Sequence, residues 1–478
     1  MKDKQTSITN IVDLHRLFHP RSIAIVGASA QSAIGRWTFL SSMIKGGYQG
    51  SIYPVNPRYS EIEGIKAYPT VEDIAEDVDM AIIMLPAEKT PEIIDQCVRK
   101  KVLFVVLFSA GFSEIGNKEL EAKLIEKVRN GPTRIVGPNC IGAHCPSSGV
   151  VYSEVFTTSG AGNVGYISQS GGHANMFTIM GTSRGLAFNK VLSVGNQADI
   201  AHQDVIAYFG RDPEIEVITA YIEDIKRGSN FFETIKGIPL KKPVILWKGG
   251  STEDGARAAS SHTGALASPV SLFNASMKQH GILLVDTMEE MADLALVCNT
   301  LDPPRGNRVG IVVAGGGGSV EATDGVAREG LHVPVLEQKT QDRIGKLIPK
   351  ENTSPKNPVD LGMFGAKLDA YFEAIMATAE DPNVDALIVS QMVESFHRIE
   401  WFDSDSLLNL ILKARDSIDK PLICIVPRIF ERDPEIETER IKFIEKLLEG
   451  GVVSFPNISR GAKALYRLTE YGKIKKRR

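Results

Sequence analysis

The stretch Ser22–Ser29, SIAIVGAS, places a short apolar run directly before a glycine, an alanine and a serine. A β-branched run of this length predicts a strand that is buried on both faces, and the glycine predicts a tight turn into a helix. Nine further stretches follow the same pattern: MAIIMLPA (Met80–Ala87), VLFVVLFSAGF (Val102–Phe112), TRIVGPN (Thr133–Asn139), NVGYISQSGG (Asn163–Gly172), EVITAYIED (Glu216–Asp224), PVILWKGG (Pro243–Gly250), RVGIVVAGGGG (Arg308–Gly318), DALIVSQMVES (Asp385–Ser395) and PLICIVPR (Pro421–Arg428). Strands that alternate with helices predict an α/β fold built on parallel sheets.

Two stretches have the composition of linkers. Ser, Thr and Gly accumulate between Cys145 and Gly162, and LDPPRGN, Leu301–Asn307, contains two prolines and a glycine. Such residues interrupt helices and strands, so both stretches predict domain boundaries. A chain of 478 residues is long enough for about three domains. We therefore expect three doubly wound α/β domains, at about 1–145, 160–300 and 305–478.

Composition and charge exclude several classes of protein. The formal net charge is −4, which gives no bulk attraction to nucleic acid or to an anionic membrane. Five scattered cysteines predict neither a disulfide framework nor a zinc site, and we expect no bound metal on this chain. The first ten residues lack the apolar core of a signal peptide, and the apolar runs are too short to cross a bilayer. A cytoplasmic protein is the expectation.

The turn after the first strand has the form of a phosphate-binding turn, but it lacks the G-x-G-x-x-G spacing of dinucleotide-binding proteins. Gly27 and Gly35 flank Ala28, Ser29 and Ser32, and Arg58 stands where an NAD site would place a ribose-binding carboxylate. The spacing favours a phosphorylated nucleotide other than NAD, held at the amino end of a helix. The alternative is that Gly27 only closes a strand–turn–helix unit.

Three features of the second predicted domain indicate phosphoryl transfer. His262 lies among small residues in the loop Lys248–Ser268, where a neutral imidazole is accessible as a nucleophile. The turn SQSGG, Ser168–Gly172, predicts a helix start that Ser168 or Ser170 can cap, with N–H groups of Gly171 and Gly172 free for an anion. Glu223, at the end of another strand, can accept the imidazole N–H and fix its tautomer. Each feature also has a structural explanation: an ordinary surface loop, an ordinary capped helix, and an ion pair with Lys226 or Arg227.

At this point the chain resembles the alpha part of the ADP-forming acyl-CoA synthetases, relatives of succinyl-CoA synthetase. Eight short motifs in the same order carry the resemblance: GAS (Gly27–Ser29), VNPR (Val55–Arg58), LPA (Leu85–Ala87), SAGFSE (Ser109–Glu114), GPNCIG (Gly137–Gly142), SQSGG (Ser168–Gly172), IED (Ile222–Asp224) and SHTGAL (Ser261–Leu266). In the third predicted domain, VAGGGGSVEATD (Val313–Asp324) and NPVDL (Asn357–Leu361) resemble the extra alpha domain of the ADP-forming branch.

The resemblance implies a Rossmann-like CoA-binding domain followed by two flavodoxin-like domains. It also implies that His262 is the phosphorylated histidine, that Glu223 supports it, and that Ser170, Gly171 and Gly172 cradle the phosphate. CoA would be held by a set of residues in the first domain: Gly27, Ser29, Arg58, Pro86, Ser109, Asn139 and Cys140. Two residues depart from the pattern: Arg58 stands where the succinate enzyme typically has lysine, and Gln169 stands in a serine-glycine turn that varies.

The reaction that the resemblance implies needs a second polypeptide. The chain contains neither a GxxxxGK[ST] loop nor the ATP-grasp segment that supplies the nucleotide site of the family. We therefore expect an ATP-grasp beta subunit in an alpha2beta2 heterotetramer, with Mg²⁺ bound alongside ADP or ATP on that partner. The alternative is a CoA-binding regulatory protein that has lost turnover. An NAD-dependent dehydrogenase is disfavoured by the missing ribose carboxylate and third glycine.

Overall fold

The computed structural model describes residues 13–29, 39–153, 162–226, 228–257, 270–391, 403–430 and 432–477. The chain divides into two compact units, Met1–Ala292 and Asp293–Arg478. In the described part of the chain, strands of the first unit form two large sheets and a small two-stranded one, and strands of the second unit form one large sheet. The predicted α/β class is confirmed, whereas the division at 1–145, 160–300 and 305–478 stays a prediction.

Helices and strands alternate along the described residues. The strands are β1 (Ser22–Val26), β2 (Ser51–Val55), β3 (Glu61–Ile62), β4 (Ile65–Lys66), β5 (Met80–Ile83), β6 (Phe104–Leu107), β7 (Arg134–Val136), β8 (Gly142–His144), β9 (Val164–Ser168), β10 (Phe188–Ser193), β11 (Val217–Ile222), β12 (Val244–Lys248), β13 (Leu283–Val285), β14 (Val309–Val313), β15 (Val359–Asp360), β16 (Ala386–Ser390), β17 (Leu422–Ile425) and β18 (Val453–Phe455). The α-helices are α1 (His15–Phe18), α2 (Phe39–Lys45), α3 (Thr90–Arg99), α4 (Lys118–Val128), α5 (Gly171–Ser183), α6 (His202–Arg211), α7 (Gly228–Ile235), α8 (Val270–Gln279), α9 (Met288–Thr300), α10 (Gly316–Arg328), α11 (Gln338–Gly345), α12 (Leu368–Glu380), α13 (Ser404–Asp416), α14 (Pro434–Glu449) and α15 (Ile458–Lys475).

The first sheet has the strand order β2-β1-β5-β6-β7, and every pair in it is parallel. All residues of β1, β5 and β6 are buried, as their apolar sequences predict. Because β1 pairs with both β2 and β5, the strand order reverses direction beside β1. In open α/β sheets, ligands bind outside the carboxyl ends of the strands at such a point. Gly27, after β1, and Pro86, after β5, therefore lie at the edge where a ligand is expected.

The second sheet has the order β13-β12-β11-β9-β10-β8. Its pairs are parallel except that β8 runs antiparallel to β10. The sequence predicted parallel strands only, so β8 is a difference. The three-residue strand Gly142–His144 enters the sheet straight from the loop after β7, without a helix, and an edge strand joined in this way can pair in either direction. Strand β9 pairs with both β10 and β11, which makes its carboxyl end a second point of reversal.

A set of polar contacts joins the two sheets of the first unit. The guanidinium of Arg134 donates to both carboxylate oxygens of Asp199, at 2.8 and 2.7 Å. Backbone N–H of Asn196 donates to the carbonyl of Pro138 at 2.9 Å. The Asn196 side chain donates to Glu114 Oε2 at 2.6 Å and to Glu121 Oε2 at 3.0 Å. The Asn196–Pro138 contact fixes the carboxyl ends of β7 and β10 next to each other, and the Arg134–Asp199 pair joins the amino end of β7 to the loop after β10.

The second unit is built on a parallel sheet with the order β15-β14-β16-β17-β18. Its core is apolar and includes Val312, Leu387 and Ile411, each 0 % exposed. Strand β14 runs into the glycine-rich start of α10, as the VAGGGG sequence predicts. Backbone N–H of Gly315 donates to Asp360 Oδ1 at 3.0 Å, so the carboxylate that ends β15 caps this turn.

Candidate functional site

A cavity of about 1090 Å³ opens in the first unit at the carboxyl ends of both sheets. Eight of the predicted site residues line it: Pro86, Ser109, Asn139, Cys140, Ser170, Gly171, Gly172 and Glu223. The first four follow strands of the first sheet and the last four follow strands of the second. The cavity is large enough for a cofactor-sized ligand, and it is lined by both apolar and polar groups.

Helix α5 presents its amino end to this cavity. Ser170 is the N-cap, and its hydroxyl accepts the backbone N–H of His173 at 3.3 Å. Ser168 does not cap, because its hydroxyl donates to the carbonyl of Ser170 at 2.7 Å. Among the described residues, no acceptor bonds the backbone N–H groups of Gly171 and Gly172. Two N–H donors at the positive end of a helix dipole are suited to bind an anion.

The two glycines of this helix end face different surroundings. A Cβ on Gly171 would lie 3.0 Å from Ile141 Cγ2, so that position is tight. A Cβ on Gly172 would meet only Ser170 Oγ, at 3.8 Å. Gly172 therefore faces open space, and the absence of a side chain there lets a ligand approach the backbone N–H groups.

Glu223 follows β11, which pairs directly with β9. Its carbonyl accepts a hydrogen bond from Lys248 Nζ at 2.6 Å. A Cβ on Gly249 would lie 2.5 Å from Tyr221 Oη and 3.1 Å from Glu223 Cγ, so only glycine fits beside these side chains. Burial and the charge of the adjacent Glu223 carboxylate, to which its hydroxyl hydrogen-bonds, raise the pKa of Tyr221. The phenol therefore stays protonated and donates to the carboxylate.

Sequence reasoning missed two residues of this wall. His173 stacks on Tyr221 with ring centroids 4.2 Å apart and lines the cavity, and burial lowers the pKa of its imidazole. Gln169, which the sequence marks only as a variable position, is 5 % exposed. Its side-chain oxygen accepts hydrogen bonds from the backbone N–H groups of Glu223 and Asp224. In the sequence, only their position beside Ser170–Gly172 indicated that His173 and Gln169 belong to the site. Their contacts with Tyr221 and with the turn of Glu223 depend on the pairing of β9 with β11, which the sequence does not show.

The first sheet supplies the opposite wall. The hydroxyl of Ser109 donates to the carbonyl of Leu85, and the carbonyl of Ser109 accepts the backbone N–H of Asn139 at 3.0 Å. Asn139 is exposed and has a left-handed φ of 58°. Cys140 is 2 % exposed, and its thiol lies 3.5 Å from the carbonyl of Val136. Burial raises the pKa of Cys140 to about 12, so its thiol is neutral.

Three predicted CoA-binding residues lie at the ends of β1 and β2 without lining the cavity. Backbone N–H of Gly27 donates to the carbonyl of Val55 at 2.9 Å. The hydroxyl of Ser29 lies 3.5 Å from Tyr59 Oη. Arg58 is exposed. His262 lies outside the described residues, so its predicted role stays a prediction, as do the roles of all the site residues.

The described residues offer no cluster for a metal ion. No group of three or more His, Cys, Asp or Glu side chains among them is arranged to hold one. Of the helices in the described ranges, none combines the length and the apolar character needed to cross a bilayer.

Family models match two consecutive stretches that together cover most of the first unit. Residues 21–146 match the model of a CoA binding domain, and residues 161–298 match the model of a succinyl-CoA ligase like flavodoxin domain.

Curated relatives extend the match to most of the chain. The chain is 34 % identical to the alpha subunit of acetate–CoA ligase [ADP-forming] I of Pyrococcus furiosus over 97 % of its own length and 99 % of that subunit. It is 37 % identical to the alpha subunit of the ADP-forming acetate–CoA ligase II of the same organism, over 80 % of this chain and 83 % of that one. The acetate–CoA ligase [ADP-forming] of Methanocaldococcus jannaschii is 35 % identical over 73 % of this chain, but the match covers only 49 % of that protein.

Solved structures agree with these matches. A dinucleotide-forming acetyl-coenzyme A synthetase 1 of Candidatus Korarchaeum cryptofilum, solved in complex with phosphate and ADP, superposes with a TM-score of 0.85 at 30 % identity. That match covers 97 % of this chain and 98 % of the other. A protein from Pyrococcus horikoshii superposes with a TM-score of 0.82 at 29 % identity, over 97 % of this chain and 100 % of its own.

Proposed function

Because the chain belongs to the family of ADP-forming acetate–CoA ligases, whose alpha subunits it matches over most of its length, we propose that it converts an acyl-CoA, ADP and phosphate reversibly into an acid, CoA and ATP. The observation that carries this proposal is the single cavity that eight predicted site residues line. In it, the residues proposed to bind CoA on the first sheet face the amino end of α5, which is proposed to hold phosphate.

The first step forms an acyl phosphate. Phosphate held at the N–H groups of Gly171 and Gly172 attacks the thioester carbonyl, and the carbon–sulfur bond breaks. The proton of the attacking phosphate passes to the sulfur, so CoA leaves as the thiol. The helix end neutralises charge on the phosphate without a basic side chain, and fixed N–H donors need no rearrangement during the reaction. Arg58, Ser29 and Gly27 would hold the nucleotide part of CoA at the ends of β1 and β2.

The second step moves the phosphoryl group to His262. The imidazole nitrogen attacks phosphorus, the acyl oxygen–phosphorus bond breaks, and the acid leaves as a carboxylate. Glu223 accepts the other imidazole N–H, which fixes the tautomer and stabilises the positive ring of the phosphohistidine. The hydroxyl of Tyr221 donates a hydrogen bond to the Glu223 carboxylate.

The third step needs a nucleotide-binding partner. The phosphohistidine gives its phosphoryl group to ADP, which forms ATP and frees the imidazole. The alpha-subunit relatives imply a separate partner chain, and we propose an ATP-grasp beta subunit in an alpha2beta2 assembly. Mg²⁺ would bind with ADP or ATP on that partner.

A labelling experiment tests the proposal. The chain and its partner are mixed with acyl-CoA and ³²P-phosphate but without ADP, and label on the alpha chain is followed by gel. Wild type should gain acid-labile, alkali-stable label, and His262→Asn should gain none. Label on His262→Asn at the wild-type level would overturn the assignment of His262.

A binding experiment tests the need for a partner. Calorimetry of the chain alone should detect CoA but no tight ATP binding, because the chain has no phosphate-binding P-loop. Tight ATP binding by the chain alone would contradict the proposed division of labour. The alternative of a regulatory protein without turnover is disfavoured, because the relatives that cover the chain are ligases.

A further inference from the structure

The side chain of Gln169 lies between the two halves of the proposed phosphoryl-transfer site. It follows β9 directly, and the next three residues form the anion-binding end of α5. Its Oε1 accepts two backbone N–H groups, that of Glu223 at 2.9 Å and that of Asp224 at 3.1 Å. Its Nε2 donates to Asp224 Oδ1 at 2.8 Å. One amide therefore makes three hydrogen bonds to the turn after β11.

A second glutamine completes the arrangement. Gln197 is 4 % exposed, has a left-handed φ of 53°, and donates from Nε2 to Asp224 Oδ1 at 3.1 Å. The turn that carries Glu223 is thus held from the loop after β10 and from the end of β9. Both amides are buried, where an unmade hydrogen bond costs about 1–3 kcal/mol, so the bonded geometry is strongly preferred.

We propose that Gln169 is a positioning residue, which fixes the Glu223 peptide relative to the amino end of α5. This inference rests on the proposed function. The distance between the Glu223 carboxylate and a phosphoryl group at Gly171–Gly172 depends on how the β11 turn sits beside the β9 turn. The backbone of Gln169 is part of the turn after β9, and its side chain hydrogen-bonds to the turn after β11. Gln169 therefore sets the distance between the two turns.

The charges around Gln169 make a glutamate substitution informative. Glu223 and Asp224 lie on the turn that Gln169 contacts, and Lys248 reaches the carbonyl of Glu223 from the end of β12. Gln169→Glu keeps the two acceptor bonds but replaces the donor to Asp224 with a second carboxylate oxygen. Two carboxylates at hydrogen-bond distance share a proton at low pH and repel each other at high pH. Gln169→Met removes all three bonds at similar volume.

The test uses the complete alpha and partner complex and measures ATP formation from acyl-CoA, ADP and phosphate. We expect Gln169→Met to lower kcat at least about 30-fold while the KM for CoA changes less than about threefold, because orientation contributes to the chemical step. For Gln169→Glu, the ratio of its kcat to that of wild type should rise about tenfold between about pH 8 and about pH 5.5, as the shared proton restores the bond to Asp224. Gln203 is buried in α6 outside the cavity, and Gln203→Met should leave kcat unchanged.

The outcomes separate the inference from the proposed function. If the wild-type complex forms no ATP, the proposed function fails. If wild type is active and both Gln169 variants keep kcat within about threefold at every pH, the positioning role is wrong while the proposed function stands. A Gln169→Glu ratio that is low but independent of pH would also overturn it. Should Gln169→Met unfold, shown by circular dichroism, the pH profile of Gln169→Glu decides alone.

Discussion

Two glycine turns of the first unit look alike in sequence and differ in structure. Gly27 follows β1 and Gly172 follows β9, each where a buried strand leads toward a helix. Gly27 has a φ of +90°, and a Cβ on it would lie 3.0 Å from the carbonyl oxygen of Met84. Gly172 has no left-handed φ, and a Cβ on it would meet only Ser170 Oγ at 3.8 Å.

The difference separates two reasons for a glycine. At Gly27 the backbone conformation and the neighbouring strand already require glycine, without any ligand. At Gly172 nothing in the described protein requires it, and the free N–H groups beside it face the cavity. The sequence left open whether Gly27 binds a phosphate or closes a turn, and its geometry requires glycine in either case. Substitutions should therefore affect folding at Gly27 and reaction at Gly172.

Gly172→Asp should have the largest effect on activity. A carboxylate at this position would occupy the anion-binding helix end and repel phosphate, so ATP formation by the complex should fall at least about 100-fold. The melting temperature should stay close to that of wild type, because an acidic residue in the first turn suits the helix dipole. Gly131→Asp is the matched control, since Gly131 is exposed before the amino end of β7. If Gly131→Asp loses as much activity as Gly172→Asp, the loss does not come from a charge placed in the cavity.

Gly27→Ala should lower stability, and Gly172→Ala should not. A left-handed φ costs an L-residue about 1–2 kcal/mol, and the close approach of Met84 adds to that cost. Urea unfolding of the two variants, side by side with wild type, measures the difference in free energy of unfolding. Equal free energies of unfolding for the two alanine variants would show that the backbone does not require glycine more strongly at Gly27 than at Gly172.

The sequence predicted the convergence of Glu223 with Gly171 and Gly172 because carboxyl ends of parallel strands meet at one edge of a sheet. Every one of the ten apolar stretches contains a strand. Strand β10 is one of the strands outside those stretches, since Asn189 and Lys190 interrupt its apolar pattern although both are buried. Lys190 is tolerated there because Asp212 lies 2.9 Å and Glu214 3.1 Å from its Nζ, and partners that distant in sequence leave no local pattern.

The role of Gln169 was equally invisible in the sequence. Its bonds to Glu223 and Asp224 require that Ser168 stand opposite Tyr221, which is a matter of strand register. A glutamine between two serines has no periodicity that reveals a partner more than fifty residues away. Residues that end strands can therefore be predicted, whereas contacts between the turns that follow them cannot.

The hydrogen bond between Asn196 and Glu114, which joins the two sheets of the first unit, should depend on pH. Burial alone would raise the pKa of Glu114, but hydrogen bonds from backbone N–H groups of Gly111 and Phe112 and from Asn196 outweigh it and lower the pKa. Because the folded value lies below the ordinary 4.5, the stabilisation is complete above pH 4.5 and is lost as the pH falls through the folded pKa. Glu114→Gln should therefore lower the free energy of unfolding by about 1 kcal/mol at neutral pH and by less in acid.

Urea unfolding at about pH 7 and about pH 3.5 measures this effect. Glu119→Gln on α4 is the control, because Glu119 is an exposed glutamate of the same region. A difference between Glu114→Gln and wild type that stays constant across this range would mean that the carboxylate charge does not stabilise the junction of the two sheets.

Cys140→Ala should have the smallest effect on the reaction, although Cys140 lines the cavity between the two turns. Its thiol lies 3.7 Å from the carbonyl of Leu107 and 3.5 Å from that of Val136, and a Cβ on Gly137 would be 2.8 Å from its sulfur. The thiol thus packs beneath the turn, and its pKa of about 12 leaves almost no thiolate to react. The KM for CoA should change less than about threefold, while stability falls by about 1–2 kcal/mol as a buried group is lost. A KM that rises more than tenfold in the folded variant would instead place the sulfur in contact with CoA, in the same wall of the cavity as Ser109 and Asn139.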